Sequence, residues 1–309
     1  MSETSVSPWP RRAAWIAVLV TLPIFFVGGM VTTLEVGMAV PDWPTTFGHN
    51  MFTYPLSEML GNTGVFWEHS HRLWGSLVGA CVVALALVVW RLEQRRAVRW
   101  LTLGALIGVG AQGILGGFRV TENNPQLAFL HGAFAQALFA LLAAILFLES
   151  RAWRLARTVP AASSARLRAL ALGAAPAIYI QTVLGAWLRH SGHHAAQVAH
   201  ILFALVAAWL VVVLASALIG THEPVLARIG RWLRALIWLQ VGLGLAAWVA
   251  VFVITGRDAP VSVAEALFAT AHVICGALLL AACVAALVFV RRLAPTPERA
   301  DGAGLEATR

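Results

Sequence analysis

The chain has 309 residues, of which 60% are hydrophobic and 12% charged, and it carries a formal net charge of +8 at pH 7. A soluble domain of this length could not cover its surface with so few charges, so the composition excludes one and predicts a polytopic membrane protein. All 22 basic side chains are arginine, and their excess is expected to report topology and contact with the lipid bilayer rather than nucleic-acid binding.

Apolar runs near 13–31, 65–90, 98–118, 127–149, 167–188, 196–219, 232–255 and 265–290 meet or approach the roughly 20 residues that span a bilayer. The predicted fold class is all-α, with eight transmembrane helices. The first run is about as long as the others and leads into a Gly- and Pro-bearing loop rather than a small-residue cleavage site. It is therefore expected to remain as helix one. Arginines cluster in alternate connections, at Arg11 and Arg12, Arg91 to Arg99, Arg151 to Arg168, Arg228 to Arg234 and Arg291 to Arg309. The positive-inside rule then puts both termini in the cytoplasm and the protein in the cell inner membrane.

Most connections are short, as antiparallel neighbours require. The exception is residues 35–64, an outer loop rich in Pro, Trp and Phe that reads as an ordered cap. Trp43 and Phe47 in it are expected to pack within the loop. The three cysteines, Cys81, Cys275 and Cys283, all fall inside helices, which points to neither a loop disulfide nor a thiolate metal site.

Residues 161–309 read as a second copy of residues 1–160, each a four-helix bundle. Gln112-Gly113-Ile114-Leu115-Gly116-Gly117, Gln181-Thr182-Val183-Leu184-Gly185 and Gln240-Val241-Gly242-Leu243-Gly244 recur on helices three, five and seven. Small residues at this spacing are expected to let helix backbones approach. The correspondence maps His71 on helix two to His200 on helix six, and His131 on helix four to His272 on helix eight. All four lie roughly 6–12 Å below the outer surface, counting 1.5 Å per residue.

An imidazole in hydrocarbon is costly and usually functional. Four at matched depth point to two heme clamps, each with two nitrogens on opposite faces of a flat apolar ring. Zinc or copper would gather three or four ligands at one centre. The halves differ chemically: Glu68-His69-Ser70-His71-Arg72 faces Gln197-Val198-Ala199-His200-Ile201. Glu68 shares a helix face with His71, so its carboxylate can point into that pocket for acid–base or electrostatic work; the alternative is an ion pair with Arg72. Arg72 is either a propionate partner or an interfacial anchor, and the same choice stands for Arg119, Arg189 and Arg257.

Glu68-x-x-His71-Arg72, Gly28-Gly29 leading to Pro41-Asp42-Trp43, Gln112-Gly113-x-x-Gly116-Gly117, and His131, His200 and His272 resemble the heme A synthases of cytochrome oxidase assembly over nearly the whole chain. The resemblance implies oxidation of the C8 methyl of heme O to a formyl group by successive hydroxylations. His71 and His131 would hold the substrate heme, with Glu68 as the polar catalytic group and Arg72 toward the cofactor. His200 and His272 would hold a heme b that relays electrons from an unidentified donor, and a heme O synthase is an implied partner. Many bacterial members carry cysteine pairs in their outer loops, and here 35–64 and 189–195 have none, so thiol participation is unsupported. His190, His193 and His194 are expected as solvated loop residues. A non-catalytic di-heme cytochrome b or heme carrier is the alternative.

Overall fold

A computed structural model describes residues 7–155, 161–221, 223–255 and 260–293. Arg157, Arg257, Arg299 and Arg309 lie outside the described residues. Eight long helices carry the fold: α1 Trp9–Thr33, α2 Thr63–Leu92, α3 Arg96–Thr121, α4 Pro125–Leu148, α5 Ala161–Ser191, α6 His194–Ile219, α7 Pro224–Val249 and α8 Val263–Leu293. All eight are long and apolar enough to cross a membrane, and a multi-pass membrane protein is the architecture they make. Each helix satisfies its own backbone, the requirement hydrocarbon imposes.

Most ends lie several residues beyond the apolar runs, because caps and not hydropathy terminate the helices. Asn62 accepts from the amides of Gly64 and Val65 to start α2, Asn124 accepts from Gln126 and Leu127 to start α4, and Glu223 accepts from Leu226 to start α7. Pro125 and Pro224 occupy first-turn positions where no amide hydrogen is needed. The seventh run is a shorter α-helix than expected at its far end, since Ala250–Thr255 continues as a π-helical turn.

Helices α1 to α4 pack in a ring, α1 on α2, α2 on α3, α3 on α4 and α4 back on α1; α5 to α8 pack in the same cyclic order. The two rings meet where α8 contacts α1 and α4, and where α4 contacts α5. One apolar core centres on Val82, Leu85, Phe139 and Ile145 and draws in Ala277 and Ala281 from α8. The other centres on Leu214, Leu218, Leu233 and Phe289. Large apolar side chains such as Ile107, Leu205, Trp209 and Trp238 stay exposed on the outside, the face a bilayer would cover.

At the end of the bundle opposite the long loop, Glu93 and Glu149 are buried between Arg95 and Arg154, with four N–O contacts of 2.5–3.2 Å. Arg95 also donates to the Leu148 carbonyl at 2.9 Å, which ties the α2–α3 turn to the end of α4.

The loop between α1 and α2 is ordered by its own polar groups and includes a short helix, Leu56–Gly61. Thr46 and His49 exchange two backbone hydrogen bonds across Phe47 and Gly48, both at positive φ, a two-residue turn whose second position suits glycine. Asp42 accepts from the Phe47 amide at 2.8 Å, the Gly48 amide at 2.9 Å and the Thr45 hydroxyl. Burial pushes the Asp42 carboxyl up, but the hydrogen bonds from Gly48, Thr45 and Phe47 outweigh it and hold its pKa at about 2. A folded value below the ordinary 3.8 means this stabilisation is complete above about pH 4 and disappears as pH falls through about 2. Asp42→Asn should therefore speed amide exchange at Phe47 and Gly48 relative to wild type at pH 5, and that difference should close as pH falls toward 2.

Candidate functional site

Four histidines reach the interior from the even-numbered helices, six to nine residues past each first residue, or roughly 9–14 Å along the axis. They form two pairs. The rings of His71 and His131 have centroids 6.1 Å apart and an interplanar angle of 68°; those of His200 and His272 are 6.3 Å apart at 75°. Once the half-widths of two rings are removed, either separation leaves a gap near 4 Å, about twice a metal–imidazole bond of about 2 Å. Among the described residues no three His, Cys, Asp or Glu side chains converge on one point, so the donor sets are pairs.

Each imidazole lies against a glycine of the preceding helix. A Cβ at Gly28, Gly116, Gly185 or Gly244 would come within 2.8–3.0 Å of Cε1 of His71, His131, His200 or His272 respectively. The glycines expected to bring backbones together thus make room for rings instead, while Gly110, Gly113 and Gly242 face open space. The signal was in the sequence: Gln-x-x-x-Gly on α3, α5 and α7 has its counterpart on α1 at Ile24 and Gly28. Gly244→Val or Gly116→Val should push its histidine off position and abolish ligation at that pair, whereas Gly242→Ala should leave it intact. Titration of the purified variants with added heme, followed by its absorbance, reads both.

The glutamines grip the histidines unequally. Gln112 donates to the His131 carbonyl at 2.9 Å and Gln181 to the His200 carbonyl at 3.0 Å. In the second pair the rings are held as well. His272 Nδ1 donates to the Gln240 backbone carbonyl at 3.1 Å, which fixes the tautomer and leaves Nε2 to accept from the Gln240 side-chain amide at 3.2 Å. The Gln181 amide lies 3.1 Å from His200 Nδ1. In the first pair, Nδ1 of His71 and of His131 are buried with no hydrogen-bond partner. In all four rings Nδ1 lies nearer the glycine than Nε2 does, 3.2–3.4 Å against 3.7–3.9 Å from the Cβ position, so Nε2 is the nitrogen turned away from the glycine and fit to bond a flat ligand.

Glu68 and Arg72 lie under the long loop. Glu68 is 2% exposed; Oε2 accepts from the Val40 amide at 2.9 Å and Oε1 pairs with Arg72 at 2.8 Å. The ion pair with Arg72 is thus formed, and the carboxylate bonds toward the loop. Arg72 donates further to the carbonyls of Val40, Asp42 and Thr45 at 2.6–2.9 Å. Its guanidinium fastens the cap, a task neither of the two expectations for it contained. His69 joins in, with Nδ1 3.1 Å from the Thr46 hydroxyl. Trp43 packs its indole on Gly117 and Phe47 stacks near Tyr54, so both serve loop packing. At the equivalent place on α6, Gln197 Oε1 lies 3.3 Å from His194 Nδ1.

Two arginines at outer helix ends bind backbone. Arg119 donates to the Gly37 carbonyl at 3.0 Å, and Arg189 donates to the Gly29 carbonyl at 2.7 Å and to the Thr33 hydroxyl. His193 and His194 are exposed. His190 corrects the expectation of a solvated loop residue: α5 runs to Ser191, so His190 belongs to its last turn and is half-buried. Its Nε2 lies 3.5 Å from where a Cβ of Gly132 would be, beside His131. The cysteines are free, with Cys275 and Cys283 buried and Cys81 partly so.

A family described as cytochrome oxidase assembly protein matches residues 11–195, which takes in His71 and His131 but stops short of His200. The chain is 28% identical over 221 residues to the heme A synthase of Sphingopyxis alaskensis, covering 60% of this chain and 61% of that one. It is 30% identical over 139 residues to that of Alkalihalophilus pseudofirmus, covering 43% and 45%. The heme A synthase of Rhizorhabdus wittichii is 26% identical over 218 residues, covering 59% and 61%. In each case the match spans less than two thirds of the relative's own length.

Proposed function

The chain belongs to the cytochrome oxidase assembly protein family, and from that premise we propose that it is a heme A synthase, a membrane oxidoreductase converting the C8 methyl of heme O to a formyl group. The observation that carries the reading is the presence of two histidine pairs at ligand spacing, only one of which comes with a buried carboxylate. Heme held between two imidazoles supplies a redox-active iron whose behaviour is set by its ligands and surroundings.

In this reading His71 and His131 hold heme O in the half formed by residues 1–160, and His200 and His272 hold heme b in the half formed by residues 161–309. The His272 Nδ1 bond to the Gln240 carbonyl suits a resident group, because it orients the ring, and the Gln181 and Gln240 amides that lie 3.2–3.3 Å from the two Nε2 atoms would give way to that group. The rings of the first pair lack such an orienting bond at Nδ1, which suits a substrate that enters and leaves. Glu68, three residues before His71 and locked between the Val40 amide and Arg72, is the buried carboxylate of this half, and Arg72 fastens the cap to it. The protein sits in the inner membrane with both termini cytoplasmic, takes electrons from a separate donor, and receives heme O from a heme O synthase.

The test is chemical. Cells that make heme O but lack the activity, given this chain, should yield formyl-bearing heme on pigment extraction. Recovery of unaltered heme O with only heme b bound to the protein would make it a di-heme cytochrome or carrier.

A further inference from the structure

A cavity of about 180 Å³ opens at the outer face between the long loop, the α3–α4 turn and α5, lined by Gly37, Met38, Arg119, Asn123, Ala128 and His190 among others. At about 30 Å³ per water it holds roughly six waters. That suits a carboxylate arm and its hydration, and is too small for a tetrapyrrole ring.

Among its lining residues the charge comes from Arg119. Arg119 and His190 face it together with the amide side chains of Asn123 and Asn124, and no acidic residue lines it. The nearby carboxylate of Glu68 is already bonded to Arg72 and the Val40 amide. The cavity also reaches α4 just before the ligand His131. Ala128, which lines it, and His131 are i and i+3 on α4, so they are neighbours on the helix surface and His131 is less than one turn below Ala128. His190 approaches Gly132 at the same level. Arg119 gives one bond to the Gly37 carbonyl, whereas Arg189 at the end of α5 is bonded to both the Gly29 carbonyl and the Thr33 hydroxyl of α1.

We propose that the Arg119–His190 cavity is an anion subsite that takes a carboxylate side arm of the tetrapyrrole bound between His71 and His131, and so sets which way round the ring enters. The inference rests on the heme reading of that pair. A guanidinium suits a carboxylate because its planar fork offers paired donors. Fixing the ring's orientation about the iron axis decides which peripheral methyl is presented to the reacting side.

The experiment is a Soret titration of the purified full chain with ferric protoheme and with its dimethyl ester, in wild type, Arg119→Gln, Arg119→Lys and His71→Ala. Wild type should bind the free acid about tenfold more tightly than the ester at the site that His71→Ala removes. Arg119→Gln should erase that preference while leaving ester affinity unchanged, and Arg119→Lys should keep much of it. Equal weakening of acid and ester by Arg119→Gln would reduce Arg119 to a structural role and overturn the proposal. Repeating the titration in phosphatidylglycerol and phosphatidylcholine nanodiscs separates the sources of the anion. A preference abolished only by phosphatidylglycerol would give the cavity to a lipid phosphate and overturn it likewise. If His71→Ala changes neither ligand's binding, the heme reading of the first pair fails instead.

Discussion

Replacing Glu68 with glutamine should lower heme oxidation by at least about a hundredfold while heme at the second pair stays bound. The estimate takes the lower end of what a positioned acid–base or charged group contributes, about 10²–10⁴-fold. Glutamine keeps the shape and one acceptor oxygen. It loses the charge and turns a donor toward either the Val40 amide or Arg72, both of which are donors themselves. Rate of formyl-heme formation and the absorbance of resident heme, measured on the same preparation, separate chemistry from folding. Normal heme A output from Glu68→Gln would remove this residue from the mechanism.

Arg72→Ala is expected to do more damage to the structure than any other single change at the site. Arg72 is the partner of a carboxylate that is 2% exposed, and removing one member of a buried ion pair typically costs about 3–5 kcal/mol. Three loop carbonyls lose their donor at the same time. The variant should unfold at lower temperature and denaturant concentration, and residues 40–49 should become open to protease. Arg72→Lys should recover part of the stability but not the loop, since one ammonium cannot reach all four acceptors in a planar fork. An Arg72→Ala protein with wild-type stability and a protected loop would contradict the role assigned here.

Much of the site was legible because membrane helices obey a simple length rule and intramembrane histidines stand out against apolar neighbours. Four histidines on alternate helices at similar depth lead directly to two facing pairs. The i, i+4 spacing of Glu68 and Arg72 likewise anticipates their ion pair. What lay beyond reach was whatever depends on loop shape. Arg72 bonds carbonyls 27 to 32 residues away, and no periodicity reports where an irregular loop folds back. His190 was misplaced because hydropathy ends a helix where apolar residues end, whereas α5 continues through Arg189, His190 and Ser191. The glycines were visible as a repeat, but the alternative to backbone contact, a cradle for an aromatic ring, needs the partner helix in place. Ile24 at the glutamine register of α1 marks the asymmetry of the first pair, a difference evident only once Gly28 is seen against His71.

The division of labour between the pairs is the central claim, and single alanine substitutions at the four histidines test it most directly through the low-spin heme absorbance of the purified protein as isolated. His200→Ala and His272→Ala should each remove that absorbance, while His71→Ala and His131→Ala should leave most of it in place. Equal loss from all four variants would contradict a substrate pair beside a relay pair.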